Sequence, residues 1–146
     1  MFYRDYHRAR VSEGAALLDQ HLPDWYKYID TDHLHLWDGD ACVLGQLAHR
    51  HPRFSYARNS VWSTADYLTA GTWLRSRMMH RDWKLRDYGF SARSMLMRLS
   101  YIFLRHLWTA EVQVRKDRDT ELELQRYYAM QAMREAKRNS LLYSVS

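Results

Sequence analysis

The chain has 146 residues, a formal net charge of +5, one Cys, five Gly and two Pro. That length sets one domain with at most an appended element, and it supports a modest core without staples. The lone Cys42 excludes an internal disulfide and a Cys-based zinc site, and the low Gly and Pro content argues against a turn-rich β-sandwich.

Residues 1–10 are polar and aromatic, with no apolar run of the signal-peptide kind. No segment reaches the ~20 apolar residues of a membrane span, so a cytoplasmic protein is expected. Val11 to His21 is predicted as the first helix, with Ser12 as its N-cap and Ala15, Leu18 and Leu22 at helical spacing. Pro23 then opens a short helical turn over Asp24 to Ile29. His33-Leu34-His35-Leu36-Trp37 alternates as a brief extended piece would, and Asp38-Gly39-Asp40 is a turn signal. Asp40 is also predicted to cap a helix over Ala41 to His49, with Val43, Leu44, Leu47 and Ala48 as its apolar face and Cys42 at the edge of that face.

His51-Pro52 ends that helix. After a basic connector, Ser63 or Thr64 caps a helix from Ala65 to about Met79, with Leu68, Thr72 and Arg75 at helical intervals. Trp83 to Phe90 is a connector with its turn at Gly89. Ser91 to Ser146 holds neither Gly nor Pro. There Leu96, Leu99, Phe103, Leu107, Ala110 and Val114 form the best amphipathic stripe, followed by Leu122, Tyr127, Met130, Met133 and Ala136. If continuous, this helix of about 45 residues spans ~70 Å; a break near Asp117–Thr120 is the alternative. The expected fold is all-α: a small bundle of four or five helices, with residues 1–116 as a compact domain and 117–146 as a long or broken C-terminal helical extension.

The charge is unevenly laid out. Residues 1–40 carry four basic and eight acidic side chains, residues 41–110 eleven and three, and residues 111–146 seven and six. Arg outnumbers Lys, 18 to 4, and its forked, weakly hydrated guanidinium suits contact surfaces. The acidic loop Asp30, Asp32, His33, His35, Asp38 and Asp40 has metal-capable groups. The EF-hand pattern fails there, with Leu34 at its fifth position and His35 where Gly is needed. No HExxH motif occurs either, so a solvated loop and no metal are expected. His49-Arg50-His51 is expected to oppose a helix dipole; an anion patch formed with Arg53 and Arg58 is the alternative. The densest basic stretch is Arg75, Arg77, His80, Arg81, Lys84 and Arg86, interleaved with Trp73, Trp83 and Tyr88. Such a mixture suits phosphate contacts and base stacking, or an acidic protein surface. No P-loop, dinucleotide fingerprint or nucleophile elbow accompanies Cys42. Neither an enzyme nor a cofactor is expected.

Two segments carry a resemblance. The first runs through Gly14-Ala15-Ala16-Leu17-Leu18-Asp19, Pro23, Trp25, Ile29-Asp30, Leu34 and Cys42-Val43-Leu44-Gly45-Gln46-Leu47. The second holds Tyr88-Gly89-Phe90 with Leu107, Trp108 and Glu111. This order resembles a set of small uncharacterised proteins encoded by actinobacteria and their bacteriophages, over about residues 10–47 and 86–115. The chain departs from that pattern at Ala48 to Pro52 and beyond Asp117. The resemblance implies a compact helical unit and a phage origin, and it transfers no cofactor and no catalytic residue. The expected function is non-enzymatic binding of a host macromolecule, a protein or protein complex, in the bacterial cytosol. Arg50, Arg53, Arg58, Trp73, Arg75, Arg77, Arg81, Trp83, Lys84 and Arg86 are the expected binding residues. The alternatives are nucleic-acid binding through the same patch, and a virion or assembly component that forms a homo-oligomer through residues 117–146.

Overall fold

Val11, Ala15, Leu18 and Leu22 recur every three or four residues and bury one side of a first helix, α1, Phe2–His21. The computed structural model describes residues 2–38, 41–54, 70, 73–74, 88–90 and 98–144. Helix α1 begins nine residues before the expected Val11, and Ser12 lies in its interior instead of capping it. The reason lies one turn upstream of the apolar stripe. His7 is buried in line with Val11, and Arg10 lies over the Tyr6 ring at 3.7 Å, so the polar-aromatic segment has helical partners of its own.

After His21, a 3-10 turn over Trp25–Tyr28 buries Trp25 and Tyr26. The Trp25 Nε1–H donates to Asp19 Oδ1 at 2.9 Å, tying the turn back to α1. No extended piece forms over His33 to Trp37. That segment is a loop of turns, in which the Asp38 N–H donates to the His35 carbonyl and the His35 N–H to the Ala41 carbonyl. Apolar alternation misleads here because Leu34 and Leu36 are drawn inward without a neighbouring strand. No strand occurs among the described residues.

Helix α2 spans Val43–Arg50 and is buried from Val43 to Ala48. Its N-cap is Cys42, which was expected inside the helix, with Asp40 as cap; the Cys42 Sγ accepts from the Gly45 N–H at 3.3 Å. Asp40 lies outside the described residues. A short 3-10 turn follows at Pro52–Phe54. Of the helix expected over 65–79, Ala70, Trp73 and Leu74 are described: they are helical, and Ala70 and Leu74, one turn apart, are buried. The remainder lies outside the described residues, including Leu68, Thr72 and the candidate caps Ser63 and Thr64.

The final helix, α3, runs unbroken over Arg98–Ser144, so no break occurs near Asp117–Thr120. Its 47 residues correspond to ~70 Å. Its buried face is not the expected one. Ser100, Leu104, Trp108 and Val112 are buried, whereas Phe103 and Leu107 are half-buried and Ala110 and Val114 exposed. Leu96 lies outside the described residues. The core is built around Trp108, which stacks on Phe90 at 4.9 Å and meets Trp25 edge-on at 5.8 Å. Its Nε1–H donates to the Gly89 carbonyl at 2.8 Å. The protein is thus a small all-α bundle with a long C-terminal helix. The chain divides into two compact units, Met1–Gln113 and Val114–Ser146.

His7 gives this core a pH dependence. Burial, and secondarily the charge of Arg10, hold its pKa below the ordinary histidine value. The folded state then resists a proton that the unfolded chain accepts. Stability is fully present above the unfolded value of ~6.5 and is lost as pH falls from there toward the depressed folded value. The melting temperature is expected to drop between about pH 7 and pH 5. The drop is expected to be shallower in His7→Leu, as read by circular dichroism melts.

Candidate functional site

Two surfaces merit consideration, one in each unit. The first gathers at the end of α2. His51 is its C-cap and is buried, edge-on to Tyr28 at 4.7 Å and to Phe54 at 6.0 Å. Phe54 in turn meets Trp73 at 5.4 Å, and the Arg53 guanidinium lies 4.8 Å over the Trp73 ring. Each His51 nitrogen has a set role. The Arg53 N–H donates to Nδ1 at 3.1 Å, which leaves the proton on Nε2 to donate to Asp24 Oδ1 at 2.8 Å. That hydrogen bond holds the Asp24 carboxyl below its usual pKa. His51 is therefore a structural tie between α2 and the turn after α1, and it is not open to an anion. Arg50 and Arg53 are exposed, and Trp73 is half-buried against the core. Arg58, Arg75, Arg77, Arg81, Trp83, Lys84 and Arg86 lie outside the described residues.

The acidic loop is organised by one residue that the sequence reading passed over. Gln46 is buried, and its Oε1 accepts from the Asp30 N–H at 2.6 Å. Its Nε2 donates to the carbonyls of Asp30 at 3.1 Å and Ala41 at 3.0 Å. The loop is thus pinned at both ends by one amide. A glutamine inside the apolar Val43–Ala48 stretch was the available signal. Gln46→Ala leaves three backbone groups without that partner and is expected to cost about 2–3 kcal/mol in chemical denaturation. On the loop's outside, His33 Nδ1 and Asp30 Oδ2 are 2.7 Å apart. Among the described residues, no three His, Cys, Asp or Glu side chains are grouped to hold a metal ion. Cys42 is buried, and burial pushes its thiol pKa up, which is the opposite of what a reactive thiolate needs.

The second surface is the last part of α3. Every residue from Glu121 to Ser144 is helical and exposed. Among them are Leu122, Tyr127, Met133 and Tyr143, with Met133 at 72% and Tyr143 at 82% exposure. Local side-chain bonds run along it: Gln125 Nε2 donates to Glu121 Oε1 at 3.1 Å, and Gln131 Nε2 to the Tyr127 hydroxyl at 2.6 Å. Among the described residues, no helix is long and apolar enough to cross a membrane. Comparison with protein-family models, with curated proteins and with solved structures finds no match to this chain.

Proposed function

We propose that the chain is a non-enzymatic interaction protein whose binding element is the C-terminal part of α3. One observation carries this reading. Glu121 to Ser144 holds large apolar side chains at Leu122, Leu124, Tyr127, Tyr128 and Met130, all exposed. Short isolated helices are marginal in water, and most helical stability in proteins comes from packing an apolar face. Large apolar side chains exposed on a helix favour burial against a partner, since covering them gains about 25 cal/mol per Å² of apolar surface. The resemblance to actinobacterial phage proteins makes a component of the bacterial cytosol a natural setting.

The test is Leu122→Glu/Met133→Glu in the full chain. Both positions are exposed, so thermal unfolding is expected to change by less than about 0.5 kcal/mol per site. Partner capture from nuclease-treated lysate and self-association by light scattering are expected to fall together. If both persist unchanged, the reading is wrong.

A second reading rests on the Arg53–Trp73 stack. With Arg50, it makes the described part of a basic, aromatic surface that suits an acidic protein or a nucleic acid. Salt separates the two. A phosphate complex weakens log-linearly as salt rises, and Arg53→Ala lowers that slope by about one. An aromatic protein contact keeps most of its affinity.

A further inference from the structure

Resting on the proposed function, we infer that the occupant of the exposed helix is a second copy of this chain, packed antiparallel, with Arg126 facing Ala129 of the other copy.

Leu122, Ala129, Ala136 and Tyr143 recur every seven residues, and Arg126, Met133 and Ser140 fall between them at alternating spacings of four and three. All seven are exposed on one side of a continuous helix. Leu122, Ala129, Met133, Ala136 and Tyr143 give this seam its apolar positions, Arg126 and Ser140 are polar, and apolar residues at that alternation keep one seam facing a partner helix in a two-stranded coil. The two alanines leave room for the stem of an Arg, whose head reaches water at the edge.

Charge fixes the direction. Asp117 to Glu123 carries four carboxylates against Arg118 alone. Arg126 to Arg138 carries four cations against Glu135 alone. Within the helix, Asp117 and Glu121, Asp119 and Glu123, and Arg134 and Arg138 are like charges one turn apart, an unfavourable spacing. Opposite charges three residues apart, such as Arg118 with Glu121 and Glu123 with Arg126, offset part of this but leave the two blocks with opposite net sign. A parallel, in-register pair would place Asp119 on Asp119, Arg126 on Arg126 and each block on its own kind. The antiparallel pair places Asp119 by Ala136, Leu122 by Met133 and Arg126 by Ala129. On the flank of that register Glu123 lies beside Lys137, twice by two-fold symmetry, and Met130 meets its own copy at the axis. A foreign acidic or basic partner would complement one block; a second copy complements both.

The experiment uses the full chain. Light scattering at micromolar concentration is expected to give the mass of a dimer. Oxidised Met130→Cys is expected to crosslink the two copies, and Leu124→Cys, on the other side of the helix, is not. Buried Cys42 does not compete. Glu123→Lys is expected to weaken the dimer about tenfold, and adding Lys137→Glu to restore it. A dimer that the charge swap does not restore, or that crosslinks through Leu124→Cys and not Met130→Cys, overturns the antiparallel register while the helix stands as the binding element. A monomer whose capture of another protein is lost in Leu122→Glu/Met133→Glu overturns self-association alone. A monomer that captures nothing overturns both.

Discussion

Trp108→Ala is expected to destabilise the protein by about 3–5 kcal/mol, the largest effect of any single truncation. Trp108 is fully buried, stacks on Phe90 at 4.9 Å and meets Trp25 edge-on at 5.8 Å. Removing it opens a cavity between two other aromatic rings, which collapse only partly. It also strips the Gly89 carbonyl of the indole N–H that donates to it at 2.8 Å. Trp108→Phe keeps much of the ring contact and loses the hydrogen bond, so about 1–2 kcal/mol is expected. Urea unfolding followed by far-ultraviolet circular dichroism measures both. Equal losses in the two variants would show that the hydrogen bond dominates and packing does not.

Gly14→Ala gives a test of sign as well as size. Gly14 lies inside α1, where helix propensity alone favours alanine by about 1 kcal/mol. A Cβ there would land on the Tyr88 carbonyl oxygen and within 3.1 Å of the Trp108 ring. The oxygen belongs to the backbone, so the contact is not relieved by a side-chain rotation. A net loss of about 3 kcal/mol is expected. Gly89→Ala should behave alike for a related reason. Its φ of +73° disfavours any Cβ, and that Cβ would lie 2.6 Å from a Val11 methyl carbon. Thermal melts of the two variants decide the matter. A stabilising Gly14→Ala would mean that the Tyr88–Phe90 segment does not cross α1 at this glycine.

The residues behind these two predictions belong to a set with a shared physical role. Asp19 accepts from Trp25, Gln46 pins the backbone of Asp30, Gly14 makes room for Tyr88, and Gly89 receives the indole N–H of Trp108. Each link ties one segment of the chain to another. These residues are the clamps that close loops onto helices.

Local regularities were legible in the sequence because they depend on neighbours along the chain. The period of Val11, Ala15, Leu18 and Leu22 sets the inner face of α1, Pro23 sets the 3-10 turn after it, and Gly89 supplies the turn its positive φ requires. A stretch from Ser91 onward without Gly or Pro sets a long helix. Other features needed tertiary contacts. Leu107 and Trp108 are both apolar and one position apart, which is about 100° around a helix. Counting apolar residues favours the side with Leu107. The tertiary structure turns Trp108 inward because only there do Phe90, Trp25 and the Gly89 carbonyl satisfy both its ring and its N–H. The capping role of Cys42, the closure of the acidic loop by Gln46 and the burial of His51 under Tyr28 have the same origin. The sequence by itself determined an all-α chain with a long or broken C-terminal helix, since periodicity and the lack of breakers are properties of adjacent residues, and the structure decided that it is unbroken. Which side of that helix is core, and which polar groups serve as ties, depended on partners far away in the chain, so only the folded arrangement could decide it.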